Sequence, residues 1–203
     1  GPTPLRLEPM SPSSPACAPG PPHTVRPVLV CMGLLLGALP TAARAGETCT
    51  DCGEPVLLAE IDSTAINESS GLAASRLRPG HWFTHNDAGG SADLFAFTED
   101  GEHVETHAVQ GAAFRDWEAL GDGPCPPGVA AEHCLYIGDI GDNSRTRGDV
   151  FVYVAPEPAS GEDAVVEAIW RLGWPEGAED SEALLVHPCT GRVYLITKHN
   201  GGR

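Results

Sequence analysis

Basic residues are scarce in this chain. Its 12 Lys and Arg stand against 28 Asp and Glu, a formal net charge of −16 over 203 residues. No basic run exists, which excludes the clustered phosphate contacts that nucleic-acid binding requires. Large side chains are also few, with five Phe, three Tyr and two Met. No segment longer than about a dozen residues keeps a 3.6-residue apolar period, so helix is not the main theme. The longest apolar run, Val28 to Leu39, holds 12 residues. That is too short to cross a hydrocarbon core of ~30 Å. What abounds instead is Gly, at 24 residues, and Pro, at 19. This balance favours many turns between short extended segments. Acidity of this degree serves solubility by default, and a cation-binding role requires local grounds.

Residues 1–45 read as a leader. The first 24 are rich in Pro and Ser, without a periodic pattern that could bury apolar surface. Arg26, the apolar run and Ala43-Arg44-Ala45 then supply the basic flank, apolar core and small-x-small end of a secretory signal peptide. Cleavage is expected after Ala45, with a secreted or periplasmic destination and no stable membrane span in the mature chain. From residue 46 onward 9 basic and 27 acidic residues remain. Export permits disulfides. Cys125 and Cys134 bracket Pro126-Pro127-Gly128, and a bond between them would restrict a strand connection. Cys49 and Cys52 form a C-x-x-C without the βαβ context of a redox motif. With no second C-x-x-C, zinc is a weak reading for them. Cys189 is left over, which points to a partner outside this chain.

A repeat organises the remainder. Glu68-Ser69-Ser70-Gly71-Leu72, Asp116-Trp117-Glu118-Ala119-Leu120 and Asp180-Ser181-Glu182-Ala183-Leu184 each place an acidic residue four positions before Leu, with a small residue between. Each is followed by a turn and then by an aromatic strand with a polar end. Those ends are His85-Asn86-Asp87, Asp139 with Asp142-Asn143, and Lys198-His199-Asn200. In the first two units a third and a fourth strand follow, at Asp93–Phe97 and Glu102–Val109, then at Asp149–Val154 and Val165–Leu172. Four short strands per unit of roughly 40 to 50 residues match an antiparallel propeller blade. A β-sandwich does not need such a repeated signature. The fold expected is therefore all-β: a β-propeller of four-stranded antiparallel blades over residues 66–203. Residues 46–65 form an N-terminal segment in which Val56 to Ile61 is expected to be a ring-closing strand. The third unit stops two strands in, so about two and a half blades of a longer ring are expected.

Glu-Ser-Ser-Gly-Leu, Thr-His-Asn-Asp-x-Gly, Asp-Trp-Glu, Tyr-Ile-Gly-Asp-Ile-Gly-Asp-Asn, Asp-x-Glu-Ala-Leu and His-Pro-x-Thr-Gly together resemble secreted bacterial proteins with a TolB-like, six-bladed β-propeller. The resemblance spans about residues 56–203. It implies a fold, export and a cysteine pair like Cys125–Cys134, but no agreed activity.

Blade geometry gives the repeat a chemical meaning. The start of a first strand and the end of a second strand share one face near the ring axis. Glu68, Asp116, Glu118, Asp180 and Glu182 then meet His85, Asn86, Asp87, Asp139, Asp142 and Asn143 at one channel mouth. Crowded carboxylates must pair with bases, take up protons or hold a hard cation. Lys198, Arg115 and Arg145 are the bases close in sequence. Oxygen ligands of this kind suit Ca²⁺, although no EF-hand loop exists. Asp116 and Glu118 are the metal candidates. The Asp-Asn turns equally suit capping of backbone N–H groups. Trp117 reads as packing core, and His103, His107, His133 and His187 receive no role. Two functions compete. One is a binding or scaffold propeller, with a small-molecule or envelope-protein ligand. The other is a metal-assisted hydrolase of phosphate esters or lactones, with Asp116, Glu118 or His85 as acid or base. The absence of G-x-S-x-G argues against a serine hydrolase.

Overall fold

Strands form here because short β-branched and aromatic runs alternate with Gly, Pro and Asp turns. The computed structural model describes residues 54–198; the leader, Cys49, Cys52, His199 and Asn200 lie outside them. The described residues hold eleven strands and no helix. Strands β1 (Ser69–Ala74), β2 (His81–Asn86), β3 (Asp93–Thr98) and β4 (His103–Gln110) make an antiparallel meander. A second meander comprises β5 (Trp117–Pro124), β6 (His133–Asp139), β7 (Val150–Pro156) and β9 (Ala168–Leu172). Strands β10 (Ser181–Val186) and β11 (Val193–Thr197) form a two-stranded sheet. The fold is thus all-β, with several antiparallel sheets and no closed barrel.

Two expectations change. Residues 54–62 form no strand, so the one foreseen at Val56–Ile61 is absent; Leu58 is exposed and the Glu60 backbone sits against Gly101 instead. The foreseen strand Val165–Leu172 is two elements. Ala168–Leu172 completes the second sheet, whereas β8 (Ala164–Val165) pairs in parallel with β4 of the first. The remaining pairings follow the repeat.

The sheets stack through their first strands, with β1 against β5 and β5 against β10. Strands β5 to β7 of the middle sheet are consequently buried on both faces. Leu135, Ile137, Tyr153 and Ala155 face the first sheet, with Phe83, Leu94 and Trp117. Their alternates Cys134, Tyr136, Val152 and Val154 face the third, with Leu184. This explains why β7 reads as an uninterrupted apolar run, Val-Phe-Val-Tyr-Val-Ala. In the first repeat the small residue has a steric cause, whereas Ala119 and Ala183 carry a Cβ at the same position. A Cβ on Gly71 would strike the His85 ring and the Leu120 backbone of the next unit.

The three repeats share one irregularity. The ladder slips between Ser69 and Gly71, between Trp117 and Ala119, and between Ser181 and Ala183. Each slip leaves one residue without a register partner: Ser70, Glu118 or Glu182. A β-bulge of this kind bends its strand and re-aims the extra side chain.

Candidate functional site

The bulges matter because they lie at the end where each first strand begins and each second strand finishes. Asp87 follows β2, Asp116 precedes β5, and Glu118 is the bulge residue of β5. Asp87, Asp116 and Glu118 each offer a carboxylate oxygen, and these oxygens lie within 4.8 Å of one another. Glu118 is buried, and the other two are half-buried. Backbone bonds fix the spacing. Trp117 N donates to Asp87 O at 3.1 Å, joining the first sheet to the second, and Gly141 N donates to Asp116 O at 3.2 Å. Gly141 also forms the floor. A Cβ there would stand 2.5 Å from Asp116 Oδ2 and 2.7 Å from Glu118 Oε1.

Proton affinity reflects this crowding. Burial first, and then the charges of Asp87, Glu182 and Asp116, push Glu118 up to about 7; the Ser70 hydroxyl, 3.2 Å from Glu118 Oε2, works against the rise. Burial, and then Asp87, also raise Asp116, with Arg147 opposing. One Asp87 oxygen is buried without a hydrogen-bond partner. The cluster is therefore under-compensated: three acids share a small volume, and among the described residues no base pairs with any of them directly.

The base of this region is Arg147, which sequence reasoning missed in favour of Lys198, Arg115 and Arg145. Arg147 is buried, and its Nη1 donates to Asp139 Oδ1 at 2.8 Å and to Gly141 O at 2.7 Å. Burial raises Asp139, against the pull of this ion pair, and Asp139 Oδ1 also accepts from Asp116 N at 3.3 Å. Nothing in Asn-Ser-Arg-Thr-Arg-Gly distinguishes Arg147 from Arg145. The distinction is conformational. Arg145 takes a left-handed φ of 52°, and its side chain reaches Lys198 O at 3.0 Å and Glu179 at 3.8 Å.

Several other candidates are engaged structurally. Asp142 is buried, which by itself would raise it. The N–H groups of Thr146 and Arg147 and the Ser144 hydroxyl outweigh that and hold it low, which is the behaviour of a turn cap. Asp180 Oδ1 accepts from Asp142 N at 2.8 Å, tying the third sheet to the second. Glu182 Oε1 accepts from Lys198 Nζ at 2.6 Å. The Asn86 amide holds the chain before β1, accepting from Asn67 N and Glu68 N and donating to Ala65 O. His85 does not join the carboxylates. It is fully buried, edge-on to Trp117 at 5.5 Å, and its Nδ1 donates to Asn86 O; burial lowers its proton affinity, so it stays neutral. Trp117 is core, as expected, with no exposed surface. Asn143 is exposed. Glu68 is exposed too, and lines a cavity of about 590 Å³ with Asn86, Asp93 and Phe95; none of the three clustered acids lines it.

Cys125 and Cys134 are disulfide-bonded with Cα atoms 5.0 Å apart, as the Pro-Pro-Gly loop suggested. Cys189 is disulfide-bonded as well, which corrects the expectation that its partner lies outside this chain. No described helix is long and apolar enough to cross a membrane. No family model, curated protein or solved structure matches this chain.

Proposed function

We propose that this chain is a propeller-type binding or scaffold module of an exported protein that holds a divalent cation, Ca²⁺ by preference, between its first two sheets. The observation that carries the reading is the under-compensated triad of Asp87, Asp116 and Glu118. Oxygen atoms up to 4.8 Å apart fit opposite sides of an ion with 2.3–2.6 Å bonds, and are wide for Mg²⁺ at 2.0–2.1 Å. The propeller part is supported by consecutive meanders stacked through their first strands. Export is supported by the leader pattern, by the disulfides and by the TolB-like motifs.

Calorimetric titration of Ca²⁺ into the protein tests the cation. We expect one binding event that both Asp116→Ala and Glu118→Ala weaken at least about tenfold, since each removes a charged ligand. Absence of binding to the unsubstituted protein sinks the reading. A second reading, metal-assisted hydrolysis of phosphate esters or lactones, is favoured by one observation: Glu118, held at about 7, is poised as a general base. Turnover of such esters that is lost with chelator and in Glu118→Gln would select it. Binding without turnover selects the scaffold.

A further inference from the structure

The triad is shared between two sheets. Asp87 belongs to the first, while Asp116 and Glu118 belong to the second. Its spacing therefore depends on how the sheets are held. At the triad's own end, Trp117 N to Asp87 O and Ser70 Oγ to Glu118 O, 3.0 Å, join them. Toward the opposite end the sheets share an apolar core, which is not directional, and an ion pair between Arg76 and Asp122 in which Arg76 is half-exposed and which therefore holds weakly.

The connection from β7 to β9 adds buried, directional bonds at that opposite end. It leaves the second sheet after Pro156, at the end opposite the triad, since Pro156 pairs with Cys134 whereas Asp139 pairs with Phe151. It then crosses onto the first sheet. The buried Glu157 carboxylate accepts from Arg76 N at 2.7 Å, from Leu77 N at 3.3 Å and from the Ser75 hydroxyl. These three donors belong to the turn between β1 and β2. Farther out, Ser160 bonds Glu105, His107 Nδ1 donates to Glu162 O at 2.6 Å, and Gln110 Nε2 donates to Asp163 Oδ2 at 3.0 Å. Strand β8 adds parallel pairing to β4. The chain returns to its own sheet at Glu167, whose N–H donates to Val154 O at 2.9 Å.

We infer that residues 157–166 are a strap that sets the angle between the first two sheets, and that Glu157 is thereby a positioning residue for the cation site. The inference rests on the cation reading above. A ligand set spread over two rigid bodies loses affinity when the bodies rotate, even with every ligand intact. Glu157 suits this task because a buried carboxylate that satisfies two backbone donors is a strong and directional anchor.

The experiment compares Glu157→Ala and Glu157→Gln with the unsubstituted protein by Ca²⁺ calorimetry, well below each variant's thermal midpoint. Glu157→Ala is expected to bind Ca²⁺ about fivefold more weakly, with Glu157→Gln closer to the unsubstituted protein because its carbonyl oxygen still accepts. A purely stabilising role would lower the midpoint of Glu157→Ala and leave affinity in the folded protein unchanged, and that outcome overturns the inference. If Glu157→Ala does not fold, the double variant Ser160→Ala/Gln110→Ala carries the test at the outer edge. It is expected to bind about twofold more weakly, and unchanged affinity there likewise overturns the strap. Failure of the unsubstituted protein to bind Ca²⁺ would instead strike the cation reading itself.

Discussion

Glu118 is the residue whose environment departs furthest from its sequence type. In the fold it keeps its proton to about pH 7, against an ordinary value of 4.5. Between those values the unfolded chain holds fewer protons than the folded one, so stability falls as pH rises through that window. Glu118→Gln has no proton to lose there. In the presence of chelator we expect it to exceed the unsubstituted protein in stability by up to roughly 3 kcal/mol at pH 8, and to match it near pH 4. Urea denaturation at the two pH values measures the difference, and an equal gap at both would contradict the assignment. Added Ca²⁺ should shrink the gap by favouring the ionised carboxylate. The acid at this position is legible in the repeat. Its aim and its proton affinity are not, because the aim comes from a bulge and the proton affinity from burial first and then from Asp87 on another sheet.

Among the elements, the hairpins are where local chemistry decides most. The Pro-Pro-Gly connection between β5 and β6 is closed by Cys125–Cys134, nine residues apart. Replacing both by Ala should cost roughly 2–3 kcal/mol, chiefly by freeing the unfolded chain. Denaturant titration of the double variant under non-reducing conditions reads this, and a cost near zero would mean that the register Gly123↔Cys134 is held by the strand pairing alone. Hairpins of this sort were legible because turn residues and apolar alternation act within a few positions. The split of Val165–Leu172 into β8 and β9 was not. Ala164 and Val165 pair with Val109 and Gln110, more than fifty residues away, and no local pattern encodes a parallel partner at that distance.

At the scale of the whole molecule, the described residues cover β5 to β7 on both sides and the third sheet on only one. Leu185, Tyr194 and Ile196 of β10 and β11 are exposed. Native-state hydrogen exchange should be slowest at Tyr136 and Ile137 in β6 and fastest along β11, because opening free energy follows burial and pairing. Uniform protection of the two strands would show instead that all the described sheets open as one unit.

The sequence by itself determined the all-β class, the repeat, the pairing of Cys125 with Cys134 and the acidic character of one end. Each of these depends on residue type and near neighbours: turn formers, alternation, a short loop between cysteines, carboxylates at a fixed offset. Only the tertiary structure decided which carboxylates meet, that Arg147 rather than Lys198 sits beneath them, that His85 is turned into the core, and that a strap after β7 clasps the first sheet. Those outcomes require distances between residues remote in the chain, and such distances are set by how the sheets stack rather than by any one segment.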